Sequence, residues 1–495
     1  MLRIYNTLSG KKEAFKPLRG KKVGMYACGV TVYDLCHIGH ARSTVVFDII
    51  FRYLRFLGYE VTYVRNITDV DDKIIKRANV EGLPWDEIAH RYTREFAMDM
   101  EALGLEKPTQ EPKATDHIGE MIRMVETLME EGYAYQMDGD VFFSVDTFEG
   151  YGKLSKRDPE QMRAGARVEI DEKKRNPLDF ALWKASKPGE PSWESPWGRG
   201  RPGWHIECSA MSHAYLGDTL DIHGGGKDLI FPHHENEIAQ SEGATGKPFA
   251  RFWIHNGFVN INREKMSKSL GNILTIKDVL KRYHPEIVRV FLLSRHYRSP
   301  VDFSDRNLAE AKTSMDRFYS TLRRMDEWGG GGLTAQGEEG ILEKGVQRAI
   351  EGVKAFPKRF QKAMNDDFNT ALALGHFHDL ARNLNTLMGD EGLPRGLLEN
   401  LLAPARDHFR RFGGIVGLFQ CPPGDYFEEQ RRRELTRLPI TDDQINRMIG
   451  ERHEARKRRD WKRADEIRES LTSMGIALED GPDGTTWRLK GNPLL

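Results

Sequence analysis

The sequence has only four cysteines, at 28, 36, 208 and 421, and none of them forms a CxxC pair. Such sparse spacing excludes a disulfide framework and a compact zinc knuckle, and leaves reduced thiols. No stretch reaches the roughly 18 consecutive apolar residues that a membrane-crossing helix needs. The start, Met1 to Pro17, is polar and basic with no apolar h-region, so a cytoplasmic protein with no membrane partner is expected. Charge of one sign is lacking as well, since 74 Lys and Arg face 74 Asp and Glu. The whole-protein field therefore draws in no polyanion, and any nucleic-acid surface must be local. A Walker-type phosphate loop, GxxxxGK[ST], is absent; Lys247 fails it because Pro248 follows. What remains is an ordinary globular composition, 39% hydrophobic and 30% charged, in 495 residues. That length suits about three domains.

Val23 to Cys28 and Val61 to Arg65 are short apolar runs with β character. Between them Val45, Val46, Ile49, Ile50, Tyr53, Leu54 and Leu57 repeat at helical spacing, so the segment predicts a βαβ unit and a parallel sheet. Ligands of such sheets sit at the carboxyl ends of the strands, where Cys28 to His40 falls. Prolines then crowd the chain from about 107 to 202, which reads as an insertion between two halves of one sheet. A second α/β segment follows to Asn260. Thr275 to Leu293 predicts helix split by Pro285, and Gly329 to Gly332 and Pro422 to Gly424 mark boundaries. The expected organisation is 1–110 with 203–260 as a catalytic unit, 111–202 as insertion, 261–310 as a linking region, 311–420 as a helical bundle and 421–495 as a small terminal unit. The last opens on Thr441 to Gln444, a capping box. Its helix carries eight Arg or Lys against three acids between Arg447 and Arg463, either a solvated face or a surface for a polyanion.

His37, Gly39 and His40 lie just past the first strand, at the entry of the crossover helix. Free amides and the helix dipole favour phosphate there, the two imidazoles add donors, and Gly39 lets a flat base approach the backbone. Lys265 to Ser269 (KMSKS) is a polar loop able to bring two ammonium groups, Lys265 and Lys268, onto a pyrophosphate. His233 and Glu237, at i and i+4, share a helix face, and Cys28 and Cys208 at strand ends complete a donor set suited to zinc. Spacing leaves His234 open as an alternative to His233, and leaves open that both cysteines are only buried small hydrophobes.

HIGH and KMSKS, in this order and on these elements, resemble the signatures of class I aminoacyl-tRNA synthetases. Within that class, CGVTVYDLCHIGHAR from Cys28, TDVDDKI from Thr68, GWHIECSAM from Gly203, GGGKDLIFPHHENEIAQ from Gly224 and KMSKSLGN from Lys265 are similar to cysteinyl-tRNA synthetases. NDDFNTA from Asn365 and the motifs between Asp460 and Trp487 extend the resemblance over nearly the whole chain. It implies an α/β fold: a Rossmann-type parallel-sheet catalytic domain with an insertion, then an α-helical bundle and a small anticodon-binding domain. It implies cysteine, ATP with Mg2+ and tRNA(Cys) as partners, one Zn2+ on Cys28, Cys208, His233 and Glu237, and a monomer. It also selects His233 over His234.

By the same resemblance, Thr68, Trp204 and His223 form the side-chain pocket, and Asp228 holds the ATP ribose. His37, His40, Lys265 and Lys268 neutralise the reacting phosphates, while Arg456, Trp461, Asp465 and Asp480 read the anticodon. The physics agrees with a metal in that pocket. Cysteine and serine differ at one atom, which an apolar pocket separates by no more than about a hundredfold, whereas zinc prefers thiolate strongly. A related ligase that joins cysteine to an amino sugar shares the adenylation motifs but has no anticodon to read. A catalytically silent RNA-binding relative would have broken signatures, and both are intact here.

Overall fold

The computed structural model describes residues 1–158, 174–261, 264–265, 274–328, 343–436, 438–481 and 484–489. A hairpin, β1 (Arg3–Asn6) and β2 (Lys11–Ala14), leads into β3 (Lys22–Thr31), α1 (Ile38–Phe56) and β4 (Glu60–Thr68). This is the predicted βαβ unit, with β3 and β4 paired in parallel. Their register shifts between Ala27 and Val30. Gly29 lies in that shift, and a Cβ on it would meet the Asn66 carbonyl oxygen at 1.6 Å, so glycine alone lets β3 press onto β4 beside Cys28.

Three helices follow, α2 (Asp72–Glu81), α3 (Trp85–Ala102) and α4 (Ile118–Glu130). The proline-rich segment then builds an antiparallel sheet of β5 (Ala134–Met137), β6 (Asp140–Phe143), β7 (Phe180–Ala185) and β8 (Gly200–Pro202). The chain returns through α5 (Trp204–Leu216), β9 (Leu220–Gly226), α6 (His233–Thr245) and β10 (Ala250–Asn256). The main sheet runs β10-β9-β3-β4, every pair parallel. Because β3 crosses over to β4 on one side and β9 to β10 on the other, the strand order reverses between β3 and β9. A crevice opens outside the carboxyl ends at such a reversal. Met25 and Ala27 pack into one hydrophobic core and Tyr26 into another, as expected of a parallel strand covered on both faces.

A three-stranded sheet, β11 (Val259–Ile261), β12 (Glu264–Lys265) and β13 (Val301–Phe303), is interrupted by α7 (Ile276–Arg282) and α8 (Pro285–Leu293). Pro285 does split the helical run, and it opens α8, where its missing N–H forfeits no bond. A bundle follows: α9 (Asp305–Trp328), α10 (Lys344–Asn365), α11 (Thr370–Met388), α12 (Arg395–Val416) and α13 (Pro423–Leu435). The expected glycine connection at 329–332 lies outside the described residues.

The bundle is tied to α1 by buried charge. Asp48 accepts from Arg289 Nη2 at 2.7 Å and from Arg52 Nε at 2.9 Å, and Arg289 Nε donates to the Val416 carbonyl at 3.1 Å. The Arg289 guanidinium lies against Gly417, where a Cβ would be 2.3 Å from it and where φ is +67°, so glycine is required twice over.

The chain ends in α14 (Asp442–Lys457), α15 (Trp461–Ser473), β14 (Ile476–Gly481) and β15 (Gly484–Leu489). The capping box at Thr441 and Gln444 is present. Two sequence expectations need revision here. The basic run 447–463 is not one helix, because the backbone turns at Arg459 (φ 60°) between α14 and α15. A hydrophobic core separate from the bundle begins at Ile440, whereas the expected boundary was 421. The reason is α13, whose Tyr426 ring stacks on Tyr319 at 4.0 Å and whose hydroxyl donates to Asp316, holding residues 423–435 on the bundle. Among the described residues no helix is long and apolar enough to cross a membrane.

Candidate active site

Cys28 leaves the carboxyl end of β3, Cys208 sits in α5, and α6 begins at His233 and carries Glu237 one turn on. Cys208 is thus on a helix and not at a strand end as the sequence suggested. The Cys28 and Cys208 sulfurs are 3.6 Å apart, Cys28 Sγ is 3.3 Å from Glu237 Oε1, and His233 Nε2 is 3.0 Å from the same oxygen. All four donor atoms lie within 4.8 Å of one another. Tetrahedral zinc with bonds of about 2.3 Å to sulfur sets two thiolates about 3.8 Å apart, so the spacing fits. Chemistry agrees with geometry. Burial, with Cys208 and Glu237 nearby, pushes the Cys28 thiol well above its usual value, and burial raises Cys208 and holds His233 well below its usual range. A half-buried and a buried thiol and a neutral imidazole around a carboxylate are groups that a divalent cation would join.

A second set, Cys28, His223, His234 and Glu237, is equally close-grouped. Glu237 belongs to both, with Oε2 at 2.6 Å from His223 Nε2. His234 is turned elsewhere: its Nδ1 meets His255 Nε2 at 2.8 Å, and its Nε2 is 3.9 Å from Glu237. His233 sits closer, its Nε2 3.0 Å from Glu237 Oε1, and like His234 it has a histidine on its other ring nitrogen, His205 Nδ1 at 2.8 Å. A partner on the far nitrogen fixes tautomer and ring plane, the arrangement metal-binding histidines use.

The expected pocket residues surround this cluster. Trp204, 37% exposed, stacks on the His233 ring at 4.1 Å. His223 is fully buried against Trp253 at 4.6 Å. Thr68, the last residue of β4, donates to Glu207 Oε2 at 2.7 Å and accepts from Asn66 Nδ2 at 3.2 Å. Asn66 in turn accepts from the Gly29 amide at 2.8 Å and lies 3.6 Å from Cys208 Sγ. Burial raises the Glu207 carboxyl well above its usual value. His205, Glu207, Asn66 and His255 went unnoticed in the sequence; the signal for two of them was there, since Glu207 and His205 flank Ile206 in a segment with too many polar residues for a purely structural buried helix.

His37 caps α1. Its Nδ1 accepts from the Gly39 amide at 3.1 Å, His40 Nδ1 accepts from the His37 amide at 3.3 Å, and the two rings stack at 3.8 Å. With both Nδ1 atoms accepting, the hydrogen-bond pattern assigns the neutral rings' protons to Nε2. Asp228, exposed, follows the carboxyl end of β9, with its carboxylate folded over Gly226. Lys265 ends β12, opposite Asn260, while Lys268 lies outside the described residues. The flank beyond is pinned to the start of α1: the Ile38 amide donates to the Leu274 carbonyl at 3.1 Å and the Ile276 amide to the Cys36 carbonyl at 2.9 Å. The described flank after the second signature, Leu274 to Ile276, therefore meets the first signature at the start of α1.

In the terminal unit Asp480 accepts both ends of the Arg452 guanidinium at 2.7 and 2.8 Å, and Arg456 Nη1 at 2.9 Å. Hydrogen bonds from Arg452 and Thr485 hold its carboxyl well below the usual range. Arg456 and Asp480 are thus brought together. Trp461, 58% exposed, opens α15 with Asp465 one turn on, also exposed.

Comparison with known proteins agrees across the chain. Residues 14–313 match the family "tRNA synthetases class I (C) catalytic domain", 359–420 the DALR domain, and 438–488 the "Cysteinyl-tRNA ligase anticodon binding domain". A cysteine–tRNA ligase from Geobacter metallireducens is 61% identical over 489 residues, 99% of this chain and 100% of the relative. One from Geobacter sulfurreducens is 59% identical over 491 residues, with the same shares covered. Methionyl-tRNA synthetase of Mycobacterium tuberculosis in complex with methionyl-adenylate superposes with a TM-score of 0.61, over 83% of this chain and 96% of that one. At 18% identity that likeness speaks for the fold. The chain belongs to the cysteine–tRNA ligase family of class I aminoacyl-tRNA synthetases.

Proposed function

We propose that the chain activates L-cysteine with ATP and transfers it to tRNA(Cys), and that zinc held by Cys28, Cys208, His233 and Glu237 recognises the substrate thiol. The observation that carries this is the thiol, imidazole and carboxylate cluster beside a histidine-capped helix at the strand reversal. Zinc bound there supplies a Lewis acid that favours a thiolate far more than a serine hydroxyl. Trp204, Thr68 and His223 wall the pocket, and His205 and Glu207 position His233 and Thr68.

In the first step a carboxylate oxygen of cysteine attacks the α-phosphorus of ATP. The bond to the β-phosphate oxygen breaks and pyrophosphate leaves. His37 and His40 donate from Nε2 to phosphoryl oxygens, at the positive end of α1. Lys265 and Lys268 neutralise the departing charge, Mg2+ accompanies the nucleotide, Gly39 admits the adenine and Asp228 takes the ribose hydroxyls. In the second step a hydroxyl of the terminal adenosine attacks the mixed anhydride and AMP leaves, helped chiefly by positioning. Trp461 offers a stacking face and Arg456 and Asp465 offer hydrogen bonds to anticodon bases, with Asp480 orienting Arg456. Each site draws its described residues from a single chain, as a monomer requires.

Cysteine-dependent ATP–pyrophosphate exchange without tRNA tests the reading. Cysteine should drive exchange, and Lys268→Ala should lower kcat by about a hundredfold or more. Absence of exchange with cysteine would overturn the activity, and an unchanged kcat would remove Lys268 from it.

A further inference from the structure

We propose that the Tyr26 hydroxyl donates a hydrogen bond to the Cys208 sulfur when zinc is held, and that it thereby offsets negative charge that the substrate thiolate brings into the site. The inference rests on the zinc reading above and adds a residue which that reading does not use. Tyr26 lies on β3 two residues before Cys28, so the two side chains leave the same face of the strand. Its backbone is held between Val64 of β4 and His223 of β9. The ring meets the His223 ring edge-on at 5.2 Å and is fully buried in the core that also holds Cys208. On a central strand covered on both faces, the phenol has no route by which to turn its hydroxyl to water.

That hydroxyl makes no hydrogen bond among the described residues. A buried donor without an acceptor costs free energy, and a phenylalanine would fill the same space without that cost. The group standing against it is the Cys208 sulfur, with Cys28 and Glu237 next. As a thiol, Cys208 points at Asn66 Oδ1, 3.6 Å away, and its sulfur accepts only weakly. As a metal ligand the same sulfur is a thiolate, and a hydrogen bond to a charged acceptor is among the strong ones. The orphaned donor matches the form of Cys208 that the metal creates.

Charge gives that donor its use. Two thiolates and the Glu237 carboxylate already outnumber the two positive charges of zinc, and the sulfur of cysteine adds one more negative charge as it binds. Cys208, His233 and Glu237 are all buried, so water does little to spread the excess. The other neighbours of Cys208 bring no relief. Asn66 presents its oxygen to the sulfur, with its Nδ2 committed to Thr68 at 3.2 Å, and Glu237 and a ligated Cys28 are themselves anionic. Of these neighbours Tyr26 alone brings an uncommitted donor. It touches neither substrate nor metal, so it is a positioning residue that acts through Cys208.

Tyr26→Phe in the full-length enzyme removes the oxygen and keeps the ring. Zinc affinity, read by competition with a chelator, should fall about tenfold, and KM for cysteine should rise about tenfold with KM for ATP unaltered. The zinc-free variant should unfold at the same denaturant concentration as the zinc-free wild type or a higher one, since it loses only an orphaned group. With cobalt(II) in place of zinc, the sulfur-to-metal charge-transfer band should move to longer wavelength, because a thiolate without its hydrogen bond gives up electron density more readily. Packing alone would not move that band. Tyr63→Phe, at another buried hydroxyl without a partner, one that stands by Arg65, should match the wild type in zinc affinity and band position. Unaltered zinc affinity and band position in Tyr26→Phe would overturn the proposal. So would a fall in affinity matched by an equal loss of zinc-free stability, which would give Tyr26 to packing. A wild type that holds no zinc would instead sink the reading on which this one rests.

Discussion

At the residue scale, the four metal-binding candidates were legible because thiols and a His/Glu pair one turn apart carry their chemistry in their type. Their supports were not. His205 meets His233 across 28 positions of sequence and Thr68 meets Glu207 across 139, and no local spacing announces either pair. If His205 orients His233, then His205→Ala should weaken zinc binding about tenfold to a hundredfold, read by competition with a chelator. Equal affinity in the two proteins would reduce His205 to packing. A second residue makes a pH prediction. Asp99 is 2% exposed, its Oδ2 has no hydrogen-bond partner among the described residues, and burial pushes its carboxyl up to about 6. The folded state then holds the proton more tightly than the unfolded one, so Asp99 lowers stability as pH rises from about 4 to about 6. Asp99→Asn should therefore stabilise the fold by up to about 3 kcal/mol near neutral pH and by almost nothing near pH 4. Denaturant unfolding at both pH values checks this, and a gain confined to the acid side would refute it.

At the element scale, β3, α1 and β4 were readable from period alone, because β3 and α1 keep one strand-like or helix-like pattern throughout. α5 was not. Ile206 to Ser212 are all buried, so the helix shows no polar face to reveal its period, and Cys208 was assigned to a strand end. The break at Arg459 hid for the opposite reason: a run of exposed basic residues has no apolar rhythm to interrupt. The placement of α1 depends on charge buried far from the signature it carries. Asp48 and Arg289 are each 1% exposed, and removal of Arg289 leaves one oxygen of the buried Asp48 carboxylate without its guanidinium while Arg52 and the Glu106 amide hold the other. Arg289→Ala should cost about 3–5 kcal/mol, measured by denaturant unfolding, with exchange activity falling only as the folded fraction falls. A loss under about 1 kcal/mol would show that water reaches Asp48 once the guanidinium is gone.

At the scale of the molecule, order along the chain was legible, and the division near the end was not, since the packing of α13 on α9 involves residues more than a hundred positions apart. That packing sets where a truncation is informative. Removal of everything after Thr436 keeps α13 and should leave cysteine-dependent exchange intact while lowering kcat/KM for tRNA charging by at least about a hundredfold. An unaltered kcat/KM would take tRNA recognition away from Arg456, Trp461, Asp465 and Asp480. The central claim is that a metal held by this chain reads the sulfur of its substrate, and it is tested most directly by zinc content together with the cysteine KM of wild type and Cys208→Ser. A hydroxyl is a poor exchange for a thiolate ligand. The wild type should hold one zinc per chain and activate cysteine but not serine, and the variant should lose zinc and show a cysteine KM raised at least about tenfold. A wild-type enzyme fully active without zinc, or a variant with unaltered KM, would contradict it.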